Sequence, residues 1–171
     1  KVQGYLGLKN VPSFDLQAAC SGFIYGLHVV DSLVRDRKYK TVLLIGAEKM
    51  SSLLDWQDRS TCVLFGDGAG AVVLQPTEKE GQGILSTHLH SDGESAEILA
   101  MYNPGSHANH WGTKDYASFD EAEISQMFMS HQMIDNAQNF PYMDGPAVFK
   151  KAVVKFPEVI MESLTKNGYQ S

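Results

Sequence analysis

The stretch from Ser21 to Ile45 constrains the fold more than any other part of the chain. Phe23, Ile24, Leu27, Val30, Leu33 and Val34 recur at helical spacing. Arg35, Arg37 and Lys38 follow them, and cations there suit the negative end of a helix dipole. Residues 41–45 are then a near-continuous β-branched and leucine run, the pattern of a strand buried on both faces. Upstream, residues 11–16 read as a short strand ending in a tight turn. Strand, helix and strand in succession make a βαβ unit and predict a parallel sheet.

Downstream the elements shorten. A polar connection carrying Trp56 precedes strand patterns at residues 61–65, 71–74 and 84–89, with a polar turn at residues 78–83. Close-set strands pair antiparallel, so the sheet is expected to be mixed. Gly66-Asp67-Gly68-Ala69-Gly70 lacks the Gly-x-Gly-x-x-Gly spacing of a dinucleotide site and the Lys-Ser/Thr of a P-loop. It reads as a sharp turn. Residues 102–116, with Pro104, His107 and His110, read as a loop, and residues 121–138 as a helix without a clean apolar stripe. Asp144, Gly145 and Pro146 then signal a helix start. Its apolar face is Phe149, Val153, Phe156, Ile160 and Leu164, with a kink expected at Pro157 and a stop at Asn167-Gly168.

Composition narrows the partners. A net charge of −6 argues against a nucleic-acid binder, which needs a dense positive face. No apolar run approaches the roughly 20 residues of a membrane span, and no basic segment leads into an apolar stretch at the amino end. The chain opens on Lys1 rather than Met, so the natural start is expected upstream. Two cysteines do not make a disulfide-stapled scaffold, which points to reduced thiols and a cytoplasmic protein.

Cys20 falls between the first strand pattern and the first turn of the long helix. A thiol there faces unpaired backbone N–H groups and the positive helix end, which favour the nucleophilic thiolate. Ala18, Ala19, Ser21 and Gly22 are small enough to leave the sulfur approachable. Free cysteine is also among the most buried residue types, so spacing alone leaves a nucleophile and a core residue both open. For Cys62, inside an apolar run, the core reading prevails.

Asp15-Leu16-Gln17-Ala18-Ala19-Cys20-Ser21-Gly22-Phe23 resembles the active-site cysteine motif of the β-ketoacyl-acyl-carrier-protein synthase III family. Four further segments agree in order: Gly46-Ala47-Glu48-Lys49-Met50-Ser51, Asp58-Arg59-Ser60-Thr61, Phe65-Gly66-Asp67-Gly68-Ala69-Gly70-Ala71, and Ser86-Thr87-His88-Leu89-His90-Ser91-Asp92-Gly93. A fifth runs from Met143-Asp144-Gly145 through Phe149-Lys150. The resemblance implies part of a thiolase-like, layered α/β/α/β/α fold with mixed sheets. Residues 1–92 would be the remainder of its N-terminal half and residues 93–171 the beginning of its C-terminal half. Residues 102–141 do not align with the family and read as an insertion.

The family's reaction, by the same resemblance, moves an acyl group from acyl-CoA onto the cysteine. Malonyl-acyl carrier protein is then decarboxylated, and its carbanion attacks the thioester to give a β-ketoacyl carrier protein. Cys20 would be the acylated nucleophile, and its own N–H one half of an oxyanion hole. Arg59 matches the position that packs on the adenine of CoA, Gly145 and Phe149 flank the pantetheine tunnel, and Met50 and Phe65 line the acyl pocket. Pro146 stands where the family often has Asn, so a polar contact is not carried over there. Lys150 matches a basic residue that docks the carrier protein. Lys151 and Lys155 either extend that patch or belong with it to a wetted helix face. Core packing competes for Met50 and Phe65, and a plain surface arginine for Arg59.

The resemblance implies acyl-CoA and acyl carrier protein as partners, a homodimer, no cofactor beyond the CoA thioester, and no metal, nucleic acid or membrane. A zinc site from His88, His90, His107 and His110 is disfavoured, because the family strand carries a similar His-x-His without metal. The family's catalytic His and Asn motifs, resembling Pro-His-Gln-Ala-Asn and Gly-Asn-Thr-Ser, are absent. The chain therefore reads as an internal piece of the enzyme, inactive alone. Competing readings are a hydroxymethylglutaryl-CoA synthase, a secondary-metabolite ketosynthase, a non-catalytic CoA-binding fragment and a cysteine hydrolase.

Overall fold

The computed structural model describes residues 1–102, 131–135 and 139–169. The helical spacing of residues 23–34 becomes helix α2, Gly22–Arg35, after a single turn, α1, at Val2–Tyr5. Gly26, Val30 and Val34 recur every fourth residue and are its buried stripe. Asp31 and Arg35 pair at 2.7 Å one turn apart on the side away from that stripe.

Gly26 of that stripe lies against Leu44 of strand β1, Val42–Lys49. A Cβ added to Gly26 would stand 2.6 Å from Leu44 Cδ1, and one added to Gly46 would stand 3.4 Å from Phe23 Cδ2. Glycine on each element lets helix and strand approach closely at the two contacts. Residues 84–87 are tied to the same helix: Arg35 donates to the Ile84 carbonyl at 2.9 Å, and His28 Nδ1 meets Thr87 Oγ1 at 2.5 Å.

Strand β1 pairs with β2, Asp67–Leu74. Gln75 reaches Thr41 at one end of the pair, and Ser51 reaches Asp67 at the other, so the two strands run antiparallel. Gly68 lies in β2, and a Cβ there would come within 2.8 Å of Glu48 Oε1, the mobile tip of a side chain. The glycine run is thus extended strand, not the sharp turn expected from its composition. Strand β1 alternates half-buried and exposed residues instead of being buried on both faces.

Two other strand expectations are corrected. Residues 11–16 carry no strand, so among the described residues α2 does not close a parallel βαβ unit. Residues 61–65 coil instead: Cys62 N–H donates to the Asp58 carbonyl at 3.0 Å and Phe65 N–H to Thr61 at 3.1 Å. The Asp58 carboxylate caps this turn, and local side-chain bonding outweighs the β-preference of Val63 and Phe65. Residues 84–89 are likewise not assigned to a strand.

Further along, β3 (Leu99–Ala100) pairs antiparallel with β4 (Tyr142–Met143), Leu99 facing Met143. Helix α3, His131–Asp135, is a short piece of the stretch expected to be helical. The loop at residues 102–116, with His107 and His110, lies outside the described residues apart from Tyr102, as does most of the stretch read as an insertion. Helix α4, Gly145–Lys166, follows its sequence signals: Asp144 caps it by accepting from Ala147 N–H at 3.0 Å, with Pro146 in the first turn. Pro157 sits inside the helix without interrupting it, and Gly168, at φ 77°, lies just beyond Asn167 at its end.

By contact the chain divides into two compact units. One joins Lys1–Gly46 to Gly70–Leu89, and the other joins Ala47–Ala69 to His90–Ser171. In the second, ion pairs fasten residues 90–92 to α4. His90 Nε2 lies 2.7 Å from Glu162 Oε2, and Lys151 Nζ lies 2.5 Å from Asp92 Oδ2. Lys166 and His90 together draw the Glu162 carboxyl down to about 2. No helix among the described residues is long and apolar enough to cross a membrane.

Two outcomes are expected. In a full-length protein carrying this chain, Gly26→Val should cost about 1–3 kcal/mol of stability by overpacking against Leu44. Combining it with Leu44→Ala should cost less than the two single losses added; strict additivity in denaturant melts would refute the contact. Glu162 is a depressed carboxylate, so its contribution is fully present above its unfolded value near 4.5 and is lost as pH falls through about 2. The melting-temperature gap between wild type and Glu162→Gln should therefore narrow as pH falls from about 4.5 towards 2; a gap that widens over that window contradicts the pairing.

Candidate active site

Cys20 stands in a one-turn 3-10 helix, Ala19–Ser21, that runs directly into α2. Its thiol is free and exposed, while the free thiol of Cys62 is only partly exposed. Ser21, at the cap position, makes no side-chain hydrogen bond to the helix. The first amides of α2 therefore have no hydroxyl cap from that residue, and they lie next to the sulfur-bearing turn.

The backbone entering the turn is strained. Ala19 is at φ 45°, a left-handed conformation that costs a non-glycine residue about 1–2 kcal/mol. Ala19 is the smallest residue that carries this strain with a Cβ. Backbone strain of this kind gathers at functional turns. Together the reversal at Ala19 and the start of α2 direct the chain so that Cys20 meets solvent at a helix amino end.

The other expected residues sit in the second unit. Met50 opens a 3-10 turn, Met50–Ser52, at the end of β1, and is partly buried. Asp67 locks that turn by accepting from Ser51 N–H at 2.7 Å and from Ser51 Oγ at 2.6 Å. The Ser51 hydroxyl and then its N–H hold the Asp67 carboxyl below its ordinary value. Phe65, partly buried, closes the coil that begins at Asp58.

Arg59 is exposed on that coil. Asp58 fixes its backbone by accepting from Ser60 N–H at 2.9 Å, Ser60 Oγ at 2.7 Å and Thr61 Oγ1 at 2.8 Å. These bonds, led by the Ser60 hydroxyl, lower the Asp58 carboxyl. Thr61 is 1% exposed, so the coil is anchored from below. The Asp-x-Ser-Thr spacing was the available signal for this anchoring, since Asp side chains bond the backbone two residues on.

Gly145 and Phe149 lie in the first turns of α4, which β4 leads into. Asp144 N–H bonds the Ile98 carbonyl at 2.8 Å, so the β3–β4 ladder sets where the helix starts. Phe149 is 67% exposed, available for contact rather than used in packing here. Lys150 is exposed as well, whereas Lys151 pairs with Asp92 and Lys155 with Glu158 at 2.7 Å. His88 meets Ser86 Oγ at 2.9 Å and His90 meets Glu162. Among the described residues no three His, Cys, Asp or Glu side chains gather as a metal site.

Residues 14–93, which include Cys20, Met50, Arg59 and Phe65, match the family model for 3-oxoacyl-[acyl-carrier-protein (ACP)] synthase III. A β-ketoacyl-[acyl-carrier-protein] synthase III of Rickettsia massiliae is 63% identical over 169 residues, 99% of this chain and 44% of that protein. The crystal structure of the 3-oxoacyl-[acyl-carrier-protein] synthase III of Aquifex aeolicus superposes at a TM-score of 0.74 with 39% identity, over 99% of this chain and 44% of its own. That of Pseudomonas aeruginosa gives 0.76 with 35% identity, over 99% and 44%. The architecture is thus part of a thiolase fold. Within that fold the chain is similar to 3-oxoacyl-[acyl-carrier-protein] synthase III over residues 14–93 by family model and over nearly its whole length by these relatives, and it spans about 44% of their length.

The strain at Ala19 is testable. Ala19→Val, which forces a β-branched residue into the left-handed region, should lower stability by about 1–2 kcal/mol, while Ala19→Gly should be neutral or stabilising. Wild-type melting of the valine variant would show the turn to be relaxed.

Proposed function

We propose that a protein carrying this chain condenses an acyl-CoA starter with malonyl-acyl carrier protein, the initiating step of type II fatty acid synthesis. Similarity to the synthase III family supports the reaction class. The observation that carries it is the exposed Cys20 thiol at the start of α2, behind the strained Ala19.

In the reaction the Cys20 thiolate attacks the acyl-CoA carbonyl, and the carbonyl oxygen gathers negative charge. A backbone N–H at a helix amino end is suited to stabilise that charge, and the N–H of Cys20 itself is assigned to this task. Expulsion of the CoA thiolate, which takes up a proton, leaves the acyl group on Cys20 as a thioester. Malonyl-acyl carrier protein then loses carbon dioxide. Its carbanion attacks the thioester carbonyl, releasing the β-ketoacyl carrier protein and regenerating the Cys20 thiolate. No cofactor enters this balance. The hydrogen-bond donors for decarboxylation are assigned to residues outside this chain, where the family's His and Asn motifs lie.

Arg59, exposed on a fixed coil, is assigned to the nucleotide end of CoA, where a planar guanidinium serves both a ring face and a phosphate. Gly145 and Phe149 are assigned to the pantetheine arm, Met50 and Phe65 to the acyl pocket, and Lys150 to the acidic carrier protein. A cytoplasmic homodimer completes the reading.

Incubating the full-length protein with radiolabelled acetyl-CoA should label Cys20 and not Cys62, with the label lost in Cys20→Ala. Label on Cys62, or none in wild type, rejects the assignment.

A further inference from the structure

Helix α4 is held by its polar side. None of its residues is buried, and its apolar stripe, Phe149, Val153, Phe156 and Ile160, is exposed. At 3.6 residues per turn Lys151 and Glu162 lie on the opposite side of the helix. Both are paired there with one segment of chain. His90 meets Glu162 at 2.7 Å, and Lys151 meets Asp92 at 2.5 Å. Farther on, the Ile98 carbonyl accepts from Asp144 N–H at 2.8 Å. As the segment ascends from residue 90 to 98, its partners descend from 162 to 144, so it runs antiparallel to the helix as a strap.

The Asp92 carboxylate accepts from Glu94 N–H at 3.2 Å and from Ser95 Oγ at 2.8 Å as well as from Lys151. Lys151 first, and then Ser95, hold its carboxyl below the ordinary value. Asp92 is thereby fixed to its own turn before the lysine reaches it. An apolar contact is non-directional, so cover on the stripe alone leaves a helix free to roll and slide. Ties at Lys151 and Glu162, about 16 Å apart along the axis, fix rotation and register together. Lys151 follows Lys150 directly and lies within two turns of Gly145 and Phe149.

We propose that Lys151 is a positioning residue: its pair with Asp92 sets the rotation of α4, and so the aim of Gly145, Phe149 and Lys150, instead of extending a docking patch for the carrier protein. This rests on the condensation reading above, which assigns those three residues to pantetheine and carrier. Lys155 differs, because its partner Glu158 is on the same helix.

The test uses the full-length protein as wild type, Lys151→Met, Asp92→Asn, the double variant and Lys151→Arg. Asp92→Asn removes the charge and keeps an acceptor for the Glu94 N–H. Calorimetry measures binding of CoA and of holo-acyl carrier protein, kinetics give KM and kcat for acetyl-CoA and malonyl-acyl carrier protein, and thermal melts check folding. The pair is half exposed, so each single variant should weaken both ligands alike by about two- to fivefold, raising KM with kcat unchanged. The double variant should lose no more than either single one, and Lys151→Arg should bind as wild type. A patch role makes the opposite prediction at Asp92, since removing a carboxylate from a docking patch tightens an acidic carrier. Tighter carrier binding in Asp92→Asn, carrier loss without CoA loss in Lys151→Met, additive losses in the double variant, or a lowered melting temperature with binding unchanged would each overturn the proposal. Coupled binding losses in a protein that transfers no acyl group would leave this inference standing and remove the condensation reading. Acyl transfer with binding indifferent to both substitutions would do the reverse.

Discussion

The close seat of α2 on β1 governs the first unit. Gly26 lies so near Leu44 that no methyl group fits without movement, and Phe23 covers Gly46. Packed elements of this kind have few alternative registers, because sliding either one drives a side chain into backbone. The helix start is therefore held from behind, three and six residues beyond Cys20. The strain at Ala19 can persist only against a support of that kind.

In the second unit carboxylates serve as local fasteners. Asp58, Asp67, Asp92 and Asp144 each accept a backbone N–H, at Ser60, Ser51, Glu94 and Ala147 respectively. Each fixes a turn or helix start, and three of these lie next to residues assigned to substrate: Arg59, Met50 and Gly145. Asp92 also pairs with Lys151, which ties its turn to α4.

Helical elements were the most legible part of the sequence. The spacing of Phe23 through Val34, and the Asp144, Pro146 and Gly168 signals, located α2 and α4 because helices carry their instructions locally. Strands were less legible. Residues 61–65 look like a strand by composition, but Asp58 closes their hydrogen bonds within the segment. The run from Gly66 to Gly70 reads as a turn until its pairing with β1 is known, and that is a long-range fact. Cys20 was marked by motif, whereas its exposure and the backbone reversal at Ala19 were visible only in three dimensions. The role of Lys151 stays open in the sequence, because its partner Asp92 lies 59 residues away.

Helix α4 carries a final consequence. Phe149, Val153, Phe156 and Ile160 stand at 67%, 51%, 69% and 58% exposure along one stripe. Water wets such a stripe poorly, and nothing in the helix itself can turn it inward. These 171 residues expressed by themselves are a natural client for chaperones and a poor candidate for crystallisation at high concentration. Solubilising substitutions there would trade handling for whatever that greasy ridge is meant to touch.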